Sequence, residues 1–156
     1  MTNSNTENGS DRILQLDTYW PYQLTVLADR ISRRTARVVK EDAGLNLSQW
    51  RVLAAIAEVP GRTSVDVVTI TPMDKGIVSR ATKALLDMKL IVRKASQDDG
   101  RVSHLFLTSK GKALYQALIP RVEAVLMRAD DALSRDDQTD LKKHLKGLLS
   151  VIPDQR

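Results

Sequence analysis

The sequence predicts an α+β fold, mainly helical, and three observations lead there. Val78, Ala81, Leu85 and Met88 recur at spacings of three and four, which puts them on one face of a helix. The period then changes: Leu90-Ile91-Val92 opens a strand, Gln97-Asp98-Asp99-Gly100 supplies turn residues, and Ser103, Leu105 and Leu107 alternate with Val102, His104 and Phe106. On either side lie long segments of helical period, 19–43 and 109–150, with more Leu and Val than one chain buries easily. Together these predict a winged helix-turn-helix, with the helix pair over about 63–88 and the wing over about 90–108.

A chain of 156 residues fits one domain, read as a mobile tail over 1–17 and a folded region over 18–152. Hydrophobic residues make up 42% and aromatics 4%, so the core is built from Leu, Val, Ile and Ala. The net charge of +5 and pI near 9.6 suit an anionic partner, nucleic acid before membrane surface. Many proteins carry such a charge without such a partner, so its location decides. The absence of cysteine excludes a disulfide framework, a thiolate metal site and thiol-based peroxide sensing. No run of 18 apolar residues occurs and Met1 to Ser10 is polar, so neither a membrane span nor a secretory signal is expected, and the expected location is cytoplasmic.

In chain order, Pro21 suits the first turn of a helix that ends at Gly44, with Leu24, Leu27, Ile31 and Val38 on its apolar face. Beside that face Arg30, Arg33, Arg34, Arg37 and Lys40 form a basic stripe. It reads either as a solvated face with intersubunit contacts, or as arginines that bind an effector's carboxylate or phosphate bidentately. The next helix opens at Leu47 with Ser48 as the expected N-cap and Leu53, Ile56 and Ala57 inward, and Pro60-Gly61 stops it. Thr63 and Asp66 have capping-box spacing. The helix they introduce is rich in Val, Thr and Ile, and propensity alone would also allow a strand. Asp74 caps the following helix, in which Gly76 costs about 1 kcal/mol relative to Ala. Close approach of backbone to phosphate accounts for that glycine, and so does drift.

Half a turn from its buried face, this helix carries Gly76, Ser79, Arg80, Lys83 and Asp87. A helix with small and basic groups outward, followed by a hairpin with a cationic tip, can enter a major groove while Arg101 reaches phosphates or the minor groove. Arg80 is placed to read a guanine edge, Ser79 and Lys75 to touch phosphates, and Thr63 and Ser64 to lie near the backbone as caps and hydroxyl donors. Asp99 is placed to hold the Arg101 guanidinium. After the wing, Thr108 or Ser109 caps a helix running to about Asp131, with Leu114, Leu118, Val122, Val125 and Ala129 inward and a kink at Pro120. Ser134 and Asp137 cap a last helix striped with Leu141, Leu145, Leu148 and Leu149, which a second copy would cover.

Val78-Ser79-Arg80, Leu90-Ile91-Val92-Arg93, Asp98-Asp99-Gly100-Arg101 and Leu105-Phe106-Leu107-Thr108-Ser109-Lys110-Gly111 resemble, in order and spacing, the multiple-antibiotic-resistance regulator (MarR) family. The likeness extends from about Tyr19 to Leu149; Pro72 departs from the family's usual glycine-containing turn. The resemblance implies a homodimer that binds double-stranded DNA at a pseudo-palindromic operator, most simply as a repressor. It also implies a cavity that often takes small aromatic acids. Trp20, Tyr22 and Trp50 either line such a cavity or are plain core, and with Arg30, Arg34 and Arg37 they are the candidate site for an anionic aromatic effector, a phenolic acid or its coenzyme A thioester. An activator, a ligand-independent regulator, or a winged-helix module that binds protein instead of DNA are the alternatives.

No cofactor is expected, and no metal site: His104, read as an exposed strand residue, and His144 are far apart and have no cysteine to complete a tetrahedral set. No phosphate loop, nucleophile elbow or nucleophile–base pair appears, so an enzyme is not expected.

Overall fold

The computed structural model describes residues 12–97, 99, 101–129 and 132–154, the side chains of 127–129 excepted. Residues 1–11 of the predicted tail, the turn residues Asp98 and Gly100, the Ala129 side chain and Asp131 lie outside the described residues. The elements are α1 (Trp20–Ala43), α2 (Leu47–Glu58), α3 (Ser64–Ile70), α4 (Lys75–Asp87), β1 (Ile91–Ala95), β2 (Ser103–Leu107), α5 (Ser109–Glu123), a 3-10 helix (Ala124–Ala129) and α6 (Arg135–Val151). The chain divides into two compact units, Met1–Arg30 and Ile31–Arg156.

In the first unit the Gln15 carbonyl accepts the amides of Thr18 and Tyr19 at 3.3 and 2.9 Å, a turn that leads into α1. Pro21 sits in the first helical turn, where an N–H would have no intrahelical acceptor to lose. Leu24 and Leu27, expected inward, are 39% and 51% exposed.

In the second unit the buried residues of α1 are Thr35 and Val39, with Ile31 and Val38 half-buried, so the packed face is rotated by about one residue from the expected stripe. Gly44 ends α1 at φ +67°, a left-handed conformation that glycine adopts without strain. Asn46, not Ser48, caps α2. Its Oδ1 accepts the Gln49 amide at 2.9 Å while Gln49 Oε1 accepts the Asn46 amide at 2.8 Å, and Ser48, one residue before Gln49, has no such reciprocal partner. Leu53 and Ile56 are fully buried and Ala57 is half-buried.

α3 is a helix despite its β-branched residues. The Thr63–Asp66 box supplies its first turn and Val67 is wholly buried, so capping and packing outweigh propensity. The core gathers Val52, Leu53 and Ile56 of α2, Val78 and Leu85 of α4, and Leu90, Ile91, Leu105 and Leu118 around Met73, which fills the turn after α3. Each such aliphatic burial stabilises by about 1.5–3 kcal/mol. Met88, expected on this face, is half-buried.

β1 and β2 pair antiparallel, Ile91 opposite Leu107 through Ala95 opposite Ser103. The outer edge of β2 is also used: Gly61 N–H donates to the Leu105 carbonyl at 2.9 Å and Leu105 N–H to the Arg62 carbonyl at 3.0 Å. That pairing corrects the reading of His104, which is half-buried with Nδ1 2.7 Å from the Gly61 carbonyl, a distance at which Nδ1–H donates. Arg62 anchors the same corner by donating to the Ala55 carbonyl at 2.7 Å and to Glu58 Oε2 at 2.6 Å.

The helix after the wing is shorter than expected. Pro120 lies inside α5, and α-helical geometry gives way to a 3-10 helix at Ala124, as suits a segment carrying an interior proline. Leu118 is buried, and Leu114, Val122 and Val125 are half-buried. α6 starts on the predicted Ser134–Asp137 box and buries none of its residues; Leu149 is 80% exposed. No described helix is long and apolar enough to cross a membrane.

Candidate nucleic-acid interface

α4 begins where the Asp74 carboxylate accepts the Ile77 amide at 2.7 Å. Val78, Ala81, Thr82 and Leu85 face the core, against α2 and α3, and fix the rotation of the helix. The opposite face is consequently open: Lys75, Gly76, Ser79, Arg80, Lys83 and Asp87 are all exposed. A side chain at Gly76 would come within 3.3 Å of Asp74 Oδ1 and 3.4 Å of an Arg80 guanidinium nitrogen, so Arg80 lies back along the first turn of α4. The donors of Arg80, the Asp74 carboxylate and the N-terminal amides of α4 thus share one edge.

Thr63 and Ser64 are half-buried at the start of α3. The Thr63 hydroxyl accepts the Asp66 amide at 3.2 Å and donates to Asp66 Oδ2 at 2.8 Å, so its proton is committed within the cap. The main-chain N–H of Thr63 first, and its hydroxyl second, hold the Asp66 carboxyl below its ordinary pKa.

At the wing tip Asp99 acts on the main chain and not on the guanidinium it was expected to hold. Its Oδ1 accepts the Arg101 N–H at 2.9 Å, and its carbonyl accepts the Val102 N–H at 2.9 Å. An aspartate two residues before an amide forms such a turn readily, which here leaves the exposed Arg101 side chain outside that bond. Sequence reading passed over two further cations on the wing, Arg93 and Lys94, both exposed on β1. Lys94 Nζ stands 4.9 Å from the centre of the Phe106 ring, a cation–π contact that steadies it. Their signal was present: two basic residues directly after the apolar start of a strand.

Among the candidate effector residues, Trp20, Tyr22 and Arg30 belong to the first unit, where all three are exposed. In the second unit Arg34 and Arg37 are exposed on α1, whereas Trp50 is 9% exposed and stacks on Tyr115 at 5.5 Å between ring centres. A groove of about 430 Å³ opens beside that pair, lined by Trp50, Arg51, Glu58, Ile70, Pro72 and Tyr115 among others. The arginine of this groove is Arg51, which the sequence reading missed. It is half-buried, donates to Ser32 Oγ at 3.2 Å, and has its pKa lowered by burial. An isolated arginine in the apolar run Trp50-Arg51-Val52-Leu53 was the available sign. Among the described residues no cluster of His, Asp or Glu is arranged to hold a metal ion.

A helix pair of this kind, with a wing paired behind it and an open basic face in front, defines a winged helix-turn-helix protein. Residues 43–102 match the MarR family. The HTH-type transcriptional regulator FarR of Neisseria gonorrhoeae is 28% identical over 119 residues, 74% of this chain and 79% of that protein. A MarR-family transcriptional regulator from Silicibacter pomeroyi superposes with a TM-score of 0.81 at 21% identity, over 93% of this chain and all of that one. CouR from Rhodococcus jostii RHA1, solved bound to p-coumaroyl-CoA, superposes with a TM-score of 0.79 at 17% identity, over 91% of this chain and all of CouR. The likeness read from the motifs is matched over residues 43–102, and the chain has the fold seen in solved MarR-family regulators.

Proposed function

We propose that the protein is a homodimeric DNA-binding transcriptional regulator, a repressor that binds a pseudo-palindromic operator and is released by a small anionic aromatic effector. The observation that carries the DNA reading is the open face of α4, where Ser79, Arg80 and Lys83 are exposed while the opposite side is locked into the core. In this reading α4 enters the major groove, Arg80 reads a guanine edge, and Lys75, Gly76 and Ser79 meet phosphates. Ser64 and the α3 cap lie near the backbone, and Arg101, on the turn shaped by Asp99, contacts the flanking groove. Two-fold symmetry sets the half-sites about 10–10.5 base pairs apart, or a multiple of that. A mobility-shift titration tests it. Arg80→Ala is expected to lose the preference for operator over scrambled duplex, and Lys75→Ala to weaken both alike. Equal losses on both duplexes for Arg80→Ala would refute the assignment.

The effector reading is supported by the groove beside Trp50 and Tyr115. It offers an aromatic wall and one partly desolvated guanidinium, the chemistry that recognises an aromatic carboxylate. CouR, of similar fold, is bound to the coenzyme A thioester of a phenolic acid. A phenolic acid or its thioester is therefore the class assigned here, with Arg51 as its anion partner and the exposed Arg34 and Arg37 as the alternative. Isothermal titration with p-coumarate and p-coumaroyl-CoA is expected to show binding that Arg51→Met abolishes and the double variant Arg34→Ala/Arg37→Ala retains. Absence of heat from the unmodified protein would remove the effector while leaving the DNA reading intact.

A further inference from the structure

The Leu-Thr-Ser-Lys-Gly run after the wing has a task that DNA contact does not explain. Three successive main-chain carbonyls follow α4, and each is taken by the start of α5. Lys110 Nζ donates to the Met88 carbonyl at 3.0 Å. The Thr108 hydroxyl lies 2.8 Å from the Lys89 carbonyl and 3.2 Å from that of Leu90, which also accepts the Thr108 N–H at 3.0 Å. Gly111 makes room for this: a Cβ there would stand 1.9 Å from the Leu90 carbonyl oxygen. Lys89, at φ +58°, turns the chain so that these carbonyls face α5.

Thr108 and Gly111 also build α5 itself, since the Thr108 hydroxyl accepts the Gly111 amide at 3.0 Å. The Lys110 ammonium is different. Its hydrogen bond runs from one helix to the end of another, and it places a positive charge at the negative pole of α4. We propose that Lys110 is a positioning residue that couples the angle of α4 to α5, so that the spacing at which two α4 faces meet DNA is set through this bond. The coupling of the helices stands on the geometry of one chain, and its consequence for spacing rests on the DNA reading above.

Two arms test it, with Lys110→Met, which keeps the apolar stem but cannot donate, and Lys110→Arg, which can. The chain has no cysteine, so Ser79→Cys and Ala117→Cys place one spin label on α4 and one on α5, both at exposed positions. Labelled chains diluted with unlabelled ones should give a distance distribution that is broader in Lys110→Met and unchanged in Lys110→Arg. An unchanged width in Lys110→Met overturns the coupling whether or not the protein binds DNA. In the second arm, operators differing by one base pair in half-site spacing are titrated. Lys110→Met should reduce the preference for the best spacing by about three-fold, the net worth of one hydrogen bond, and Lys110→Arg should preserve it. A uniform loss at every spacing would show Lys110 to be a plain phosphate contact and overturn the spacing role. Should the unmodified protein prefer no duplex, the DNA reading and the spacing role fall together, and the labels alone decide the coupling.

Discussion

Single side chains account for much of what this chain tolerates. Gly111 packs its α-carbon against the Leu90 carbonyl, and an added methyl group would have to displace main chain. Gly111→Ala is expected to cost about 3 kcal/mol, read as a lower urea midpoint with an unchanged slope. Thr82 presents the opposite case. It is 1% exposed and its hydroxyl has no hydrogen-bond partner among the described residues, so its burial carries the cost of a desolvated polar group. Thr82→Val should stabilise by about 1 kcal/mol in the same assay, and a loss of stability would show that the hydroxyl is satisfied in solution. The two effects differ in legibility. Glycine in a Leu-Thr-Ser-Lys-Gly motif stands out in sequence, whereas nothing about Thr82 separates it from an exposed helical threonine until the packing of α4 is known.

Elements here are bounded by reciprocal caps, and the caps carry a pH dependence. Thr63–Asp66 and Ser134–Asp137 each join a hydroxyl and a carboxylate across the first turn. Both carboxyls are held below their ordinary pKa, Asp66 chiefly by the Thr63 main-chain N–H and Asp137 chiefly by the Ser134 hydroxyl. A carboxylate whose pKa is depressed in the folded state binds its proton more readily in the unfolded chain. Its contribution is therefore present above the unfolded pKa, near 4, and fades as the pH falls through the folded value. Asp66→Asn is expected to flatten that part of the acid limb in a stability–pH series; an unaltered limb would show that the carboxylate is not capping in solution. Thr63→Ala should cost about 1 kcal/mol at neutral pH. The three boxes show what a sequence can and cannot disclose: two were legible from Thr63-x-x-Asp66 and Ser134-x-x-Asp137, while Asn46-x-x-Gln49 was overlooked because Ser48 is the more conspicuous cap beside Leu47.

For the molecule as a whole, apolar surface and charge give the measurable consequences. α6 exposes Leu141, Leu149 and Val151, and its burial by a second copy is part of the proposed homodimer. Leu149→Glu should shift the sedimenting species from dimer to monomer and weaken operator binding with it; a dimer that persists would place the contact elsewhere. For the DNA reading, each phosphate neutralised should add about 0.9 to the slope of log affinity against log salt. Arg101→Ala is expected to lower that slope by about one such step, and an unchanged slope would free the wing tip of a phosphate contact.

The order of elements, the caps of α3, α4 and α6, the wing and the open face of α4 were determined by sequence alone, because each follows from spacing that a helix or strand converts directly into a face or a turn. What the tertiary structure decided is which side of α1 is packed, that His104 is tied to Gly61, that Asp99 serves main chain, and that Arg51 is the arginine beside the Trp50–Tyr115 pair. It also decided where the long helix after the wing yields to 3-10 geometry. The Asp99 turn and the 3-10 end are local. The packed side of α1, the His104–Gly61 bond and the place of Arg51 depend on contacts between residues distant in the chain, and periodicity says that a residue is turned away from water without saying what it will meet.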